Sequence, residues 1–339
     1  MLDFESFLQY VKDNIKDYLP SEFADANVEL QVVEKNNGKL LHGLTILVSD
    51  NPVSPNIYLD QYYKYYVEQG MDIDVVMERV AQVEREQMTP PKEISGVIHK
   101  LRDKDFVESH VIVAVVNAEK NAAMLKKVPH RMVEDLAVIY KLYLGSAKNS
   151  ISTITVRNDF LKRWGITPDE LHEHAMKNSN KLMPARVRDM ESILRAGFGD
   201  LESLDLDPLG GINTMYVITN AQKVDGAASI IYSDALERTA EMVGTDLYIL
   251  PSSIHETIAI SVDCCGTPEE LAEMVKEINT YQVDQEEQLS DHVYKYDAQT
   301  KTLSLADVSV EDLKISRVSE NKMSYEAEST EPVRPRHHR

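Results

Sequence analysis

The sequence predicts an α+β fold, built from two or three αββα-type modules with mostly antiparallel sheets. Three observations carry that expectation. The order helix–strand–strand–helix occurs three times, over residues 3–86, 118–180 and 227–280. In the first group Asn37-Gly38 separates "VELQVV" from "LLHGLTILV" and supplies the positive φ values that a type I′ hairpin turn needs. Near the end, "HVYKY" and "TLSL" form a second hairpin. The repeated order fits internal duplication, and it equally fits the ordinary arrangement of an α+β chain.

The elements follow in turn. Phe4, Phe7, Leu8, Val11, Ile15 and Tyr18 fall at helical spacing between Asp3, a suitable N-cap, and Pro20, a stop. After the first hairpin comes a helix over 73–85, and "MTPPKEIS" (88–95) breaks the pattern. "HVIVAVV" (110–116) reads as a buried strand, and "NAEKNAAMLKK" as a short helix capped by Asn117. In "EDLAVIYKLYL", Leu136, Val138, Tyr140, Leu142 and Leu144 alternate, which predicts a long half-buried strand, and "ISTITV" is the next one. "TPDELHEHAMKN" opens a helix with Thr167 as cap, Pro168 at its first position and Glu170 completing a capping box. A further helix is expected over 185–196. "MYVITN", "DLYIL" and "TIAISV" are strands, "AASIIYSDALERTAEMV" a helix ended by Gly244, and "TPEELAEMVKEIN" a helix with the same Thr-Pro start. The expected organisation is an N-terminal module over 1–90, a middle module over 91–196, a linker over 197–213, a C-terminal module over 214–318 and a polar, disordered tail over 319–339.

Composition narrows the function. Hydrophobic residues make up 43% of the 339 and charged ones 27%, enough apolar material for a core without staples. The net charge is −20, which disfavours nucleic acid and anionic membranes, since both attract Lys and Arg. A protein partner, basic by preference, fits better. The two cysteines, Cys264 and Cys265, are adjacent and ill placed to pair, and no signal peptide or continuous apolar span is present, so a cytoplasmic protein is expected. There is no Walker loop and no Gly-x-Gly-x-x-Gly string, so no cofactor is expected.

Five groups of residues bear on chemistry. In "LPSSIHETIAI" (250–260), Ser252 and Ser253 offer a nucleophile, His255 a base and Glu256 an acid. Neighbours in an extended chain point to opposite faces, so His255 and Glu256 do not make a self-contained triad, and a distant acid would be required. Turn-capping serines and a locally bonded histidine explain the string as well. His172 and His174 lie two apart on a helix, about 200° around it, so they cannot share a metal. The acidic run Asp200, Glu202, Asp205, Asp207 lacks calcium-loop spacing, and no metal site is expected. Cys264-Cys265 precedes a helix N-terminus but lacks Cys-x-x-Cys spacing. Tyr58, Tyr62, Tyr65 and Tyr66 form a tyrosine-rich stretch, read as core or as a protein-binding surface.

"NIYLDQYY" (56–63), "ITVRNDFLKRWGITPDELHEHAMKN" (154–178), "MYVITNAQKVDGAASI" (215–230), "LPSSIHE" (250–256) and "QLSDHVYKYD" (288–297) together resemble an uncharacterised family of unknown function. The resembling family is one of anaerobic Gram-positive gut bacteria and their mobile elements. The resemblance spans most of the chain and implies no activity, cofactor or catalytic residue. The leading expectation is therefore a cytosolic, non-enzymatic binding or accessory protein acting through protein–protein contacts. The alternatives are a hydrolase-like enzyme using Ser252 or Ser253 with His255, and, from the resemblance alone, a defence or toxin-neutralising protein of a mobile element.

Overall fold

A computed structural model describes residues 1–48, 56–87, 100–147, 150–197, 214–264 and 266–308. The expected boundary at 88–95, the linker from residue 198 to 213 and the tail over 319–339 lie outside the described residues.

The first helix, α1 (Phe4–Asn14), starts where expected, because the Asp3 carboxylate accepts the Ser6 N–H at 2.8 Å. Its buried face is Phe7, Leu8 and Val11. Strands β1 (Asn27–Glu34) and β2 (Leu40–Leu47) pair antiparallel, and β3 (Asn56–Tyr58) adds to the other edge of β2. Asn37 (φ 58°) and Gly38 (φ 69°) take the positive φ values predicted for the turn. Helices α2 (Asp60–Glu68) and α3 (Ile73–Gln87) complete a separate core with Phe7, Ile15, Leu44, Ile46, Leu59, Tyr62 and Met77.

The second sheet centres on β6 (Leu136–Ala147). β4 (Val111–Asn117) lies on one edge, and β5 (His130–Val133) and β7 (Ser150–Thr155) both pair along β6. The alternation in β6 predicts a half-buried strand, whereas Leu136 through Tyr140 are buried on both faces. Leu136, Val138 and Tyr140 enter the main core, while Ala137 and Ile139 pack against Leu125 and Val128 on the far side. Helices α4 (Lys104–His110), α5 (Ala122–Leu125), α6 (Asn158–Trp164) and α7 (Pro168–Leu182) surround this sheet, and α7 carries the predicted Thr167–Glu170 capping box.

The third sheet has six strands in the order β13-β12-β10-β11-β9-β8: β8 (Ala185–Asp189), β9 (Tyr216–Asn220), β10 (Leu247–Leu250), β11 (Thr257–Ser261), β12 (Tyr294–Asp297) and β13 (Thr302–Leu305). Every strand pairing is antiparallel, so the α+β expectation holds. Three helices differ from expectation. The short helix expected to be capped by Asn117 is confined to α5, preceded by Asn121, because Asn117 ends β4 and its side chain instead accepts the Lys120 N–H at 2.9 Å. Residues 185–189 are a strand followed by α8 (Met190–Gly197): half-buried Ala185 and Val187 alternate with exposed Arg186 and Arg188, and pairing to β9 exploits that period of two. The long helix expected after Ala227 is split into α9 (Ser229–Tyr232) and α10 (Ala235–Val243). Ser233 breaks it, because its hydroxyl donates to the Ser229 carbonyl at 2.6 Å and accepts the Ala235 N–H at 3.1 Å. α11 (Pro268–Tyr281) covers one face of the sheet through Leu271 and Val275.

The other face belongs to a single core that also holds the second sheet: Val113, Leu136, Tyr140, Ile218, Leu247, Ile249 and Tyr294 are all members.

Candidate functional site

The loop between β10 and β11 carries Ser252, Ser253, His255 and Glu256. Backbone bonds fix it from both sides. Residues 287–290 hold one edge, with Ile254 N–H to the Glu287 carbonyl (2.8 Å), Leu289 N–H to Ser252 (3.1 Å) and Ser290 N–H to Pro251 (3.0 Å). The end of β9 and the turn after it hold the other, with Ala227 N–H to the Ile254 carbonyl (3.1 Å) and, from a side chain, the Thr219 hydroxyl to the His255 carbonyl (2.7 Å). Close approach here requires Gly226, where a Cβ would stand 2.3 Å from the His255 carbonyl oxygen and 2.1 Å from the Thr219 hydroxyl. Asp225 just before it is left-handed (φ 52°), a conformation Asp tolerates better than most residues. Three of the strings that carry the family resemblance, 215–230, 250–256 and 288–297, meet at this loop.

The side chains are placed as follows. The Ser253 hydroxyl accepts the His255 backbone N–H at 3.1 Å, a local turn bond. His255 Nδ1 accepts the Asp225 N–H at 3.2 Å, which assigns the proton of the neutral ring to Nε2. Nε2 in turn lies 3.6 Å from a Glu287 carboxylate oxygen. A second segment therefore brings an acid to His255, from a position the sequence did not single out. Both ring nitrogens face groups other than the two serines, so neither serine hydroxyl is hydrogen-bonded to the His255 ring, and Glu256 is exposed. What the arrangement does as it stands is fix the loop and present a His–Glu contact at its rim.

Buried polar contacts extend from the loop. Lys141 on β6 meets the nearly buried Asp225 carboxylate at 2.6 Å. Asp135, in the β5–β6 turn, accepts the Ser290 hydroxyl (2.7 Å) and the Tyr294 hydroxyl. Burial, reinforced by Asp135, raises the Tyr294 hydroxyl well above its ordinary range, so it stays a donor. His292 Nδ1 bonds Asp307 at 2.9 Å, and this bond raises its imidazole pKa.

The tip of the β1–β2 hairpin reaches the same region. The Asn37 N–H donates to Asn121 Oδ1 (3.0 Å), and Asn121 Nδ2 donates back to Asn37 Oδ1 (2.9 Å). Asn37 Nδ2 donates to the carbonyls of Gln285 and Gln288, both at 2.7 Å. Asn36 bonds the Glu286 carbonyl at 2.8 Å, and Lys39 pairs with the Glu286 carboxylate at 3.2 Å.

The other predicted residues sit elsewhere. Tyr62 is buried and edge-on to Tyr65, over which Arg79 lies at 5.8 Å. Tyr66 turns to the opposite side, stacked on Phe7 with its hydroxyl accepting the Leu2 N–H at 3.0 Å. Tyr58, on β3, has the Lys35 ammonium 4.2 Å above its ring. His172 meets the Tyr140 hydroxyl (3.1 Å), while His174 lies 4.0 Å from Glu108, so the two diverge as their spacing requires. The acidic run 200–207 and Cys265 lie outside the described residues. Among the described residues no three His, Cys, Asp or Glu side chains are grouped to hold a metal, and no helix is long and apolar enough to cross a membrane.

Sequence reasoning missed Asp225, Glu287, Asp135 and the second role of Asn37. The Asp225-Gly226 pair is a turn signal that could have drawn attention to that loop. Glu287 stands in "DQEEQ", which reads like any solvated acidic stretch.

Fold and site together define a three-sheet α+β protein whose most elaborate polar region is a junction of loops from all three sheets. The chain belongs to a family of unknown function, DUF5688, whose model matches residues 4–298. No curated protein and no solved structure matches it.

Proposed function

We propose that the protein is a cytosolic binding or accessory protein that acts through protein–protein contacts, rather than by covalent catalysis at the 251–256 loop. The supporting observation is the placement of His255. One ring nitrogen receives a backbone N–H, the other faces Glu287, and the Ser253 hydroxyl is already an acceptor. A serine nucleophile needs a base nitrogen within hydrogen-bond reach of its hydroxyl. The net charge of −20 favours a basic partner, and the adjacent cysteines suit a reducing compartment.

A hydrolase-like reading has one observation in its favour, the approach of Glu287 to His255. Labelling with a serine-reactive fluorophosphonate separates the two readings. The expected result is no labelling of the full chain. Labelling that disappears in both Ser253→Ala and His255→Ala, or in Ser252→Ala and His255→Ala, would overturn the binding reading at this loop.

A further inference from the structure

Strand β1 is an edge of the first sheet, whose order is β1-β2-β3. Two contacts fix which of its backbone groups face β2. The Lys35 N–H donates to the Lys39 carbonyl at 2.7 Å, whereas His42, opposite Val32, turns its own N–H to Asp60 and its carbonyl to Leu59. Odd-numbered residues of β1 therefore bond inward to β2, and the backbone groups of Leu30, Val32 and Glu34 point outward. Among the described residues nothing bonds these outward groups.

An open edge is a template for a further strand, and two other edges of this molecule are guarded. On β4 the Val113 N–H donates to the Ser179 hydroxyl (2.8 Å) and the Val111 carbonyl accepts from the Asn178 amide (3.0 Å), both on α7. β8 carries the exposed Arg186 and Arg188. β1 runs for eight residues with no proline and no break in register, and its Val32 is 60% exposed.

Charge indicates the occupant. Glu29 and Lys35 lie on one face of the sheet, three residues either side of Val32. Glu29 is exposed and accepts from the Asn27 amide at 2.6 Å, and Lys35 lies 4.2 Å above the Tyr58 ring. Neither has an ion-pair partner among the described residues. We propose that β1 pairs antiparallel with β1 of a second copy of this chain, about a two-fold axis at Val32. Leu30, Val32 and Glu34 of each copy exchange their outward N–H and carbonyl groups with Glu34, Val32 and Leu30 of the other. Val32 then packs on its own counterpart, and each Glu29 stands directly opposite a Lys35, where cross-strand pairs of opposite charge attract. Moving the axis by one residue loses this match. Centred on Gln31, the pairing sets Glu29 against Val33; centred on Val33, it sets Glu29 against Asn37. The pairing ends at Lys35, short of the Asn36 and Asn37 side chains that dock on residues 285–288. This inference goes beyond the reading above and does not rest on it.

The test is sedimentation equilibrium of the full chain with amide exchange as a second readout. At roughly 0.15 M salt, charges more than about 8 Å apart are largely screened, which limits the repulsion between two chains of net charge −20. Residues 29–35 are fewer than the roughly 20–30 a side of a standard interface, so a weak, concentration-dependent dimer is expected. Exchange at the Leu30, Val32 and Glu34 amides should slow as the dimer forms, which dimerisation through another surface would not cause. Val32→Lys sets two ammonium groups against each other at the axis and should abolish the dimer. Glu29→Lys and Lys35→Glu should each weaken it about tenfold, since either turns two attractive pairs into two repulsive ones, and the double variant should restore it. Exchange at Leu44 and Ile46, in the module's core, should stay as in wild type in every dilute variant, which separates lost pairing from a lost fold. A monomer at every concentration up to about 1 mM overturns the proposal, as does a dimer indifferent to Val32→Lys or a double variant no tighter than the single ones. Edge amides that slow only when an extended lysine-rich peptide is added would assign the edge to a basic partner and equally overturn it. The fluorophosphonate result is unaffected by any of these outcomes.

Discussion

The molecule contains two joints of opposite character. The second and third sheets are joined by one apolar core, in which Val113 and Tyr140 from one meet Ile218, Leu247 and Tyr294 from the other. Residues 1–87 keep a core of their own. Among the described residues, all their hydrogen bonds and ion pairs to the remainder come from Asn36, Asn37 and Lys39 at one hairpin tip. The difference has an energetic consequence. A shared apolar core loses its burial if either half leaves, at roughly 25 cal/mol per Å² exposed. Hydrogen bonds exchanged for water are worth only about 0.5–1.5 kcal/mol each. The first joint couples folding, and the second holds position while leaving two folds independent.

Ile218→Ala strikes the first joint hardest. Ile218 is fully buried on β9, between β8 and β11, and truncation there should cost about 2–5 kcal/mol. The single tryptophan, Trp164, sits on α6 in the same core, its indole N–H donating to the Leu101 carbonyl at 2.7 Å. Its fluorescence should therefore report an earlier melt, together with loss of amide protection in both sheets. If protection falls in the third sheet while Trp164 keeps its original midpoint, the shared core does not couple the two.

The next largest effect belongs to the N-terminal module alone. Glu84, on α3, is fully buried with neither carboxylate oxygen bonded among the described residues. Burial pushes its pKa up to about 7 from an ordinary 4.5. An unfolded chain releases this proton near 4.5 and the folded one only near 7. The module is therefore penalised increasingly as pH rises between those values, reaching roughly 3 kcal/mol and then levelling off. Glu84→Gln should flatten this dependence in amide exchange of residues 1–87, while the Trp164 melt keeps the pH profile of wild type. A profile that shifts for both would mean the two cores are not independent.

How much of this was legible follows from the range of each signal. Local chemistry was readable: the Asn37-Gly38 turn, the Asp3 cap and the Thr167 capping box each depend on residues within a few positions. Tertiary pairing was not. β8 looked helical because its alternation spans only five residues and runs directly into the helix that follows, and what makes it a strand is its pairing with β9, about thirty residues on. The buried far face of β6 depends on Leu125 and Val128, which no alternation in β6 itself could announce. At the candidate site the sequence placed His255 in a polar turn, but its Asp225 and Glu287 partners lie about thirty residues away on either side, one in an Asp-Gly turn and the other in an ordinary acidic stretch, and neither signal says that it meets His255.

The smallest effect is the most specific to the second joint. Asn37→Gly keeps the positive φ that the turn demands, so the hairpin itself should survive. What it removes is the donor to Gln285 and Gln288 and the acceptor for Asn121. Asn121 Nδ2 retains its bond to the Asn117 carbonyl at 2.9 Å, so the unmet groups are chiefly the two carbonyls, and the loss should be about 1–3 kcal/mol of docking free energy. Neither core contains these atoms. The Trp164 melt and the exchange of the buried N-terminal amides should both hold, while exchange at Asn37 and Gln288 quickens and the scattering radius grows. Asn121→Ala removes the bonds Asn121 exchanges with Asn37 but leaves the Gln285 and Gln288 carbonyls their donor, so the two substitutions share only the Asn121–Asn37 side-chain bond and combining them should cost more than either alone. Should Asn37→Gly instead lower both cores' stability together, the hairpin tip is part of one cooperative unit and the contrast between the joints fails.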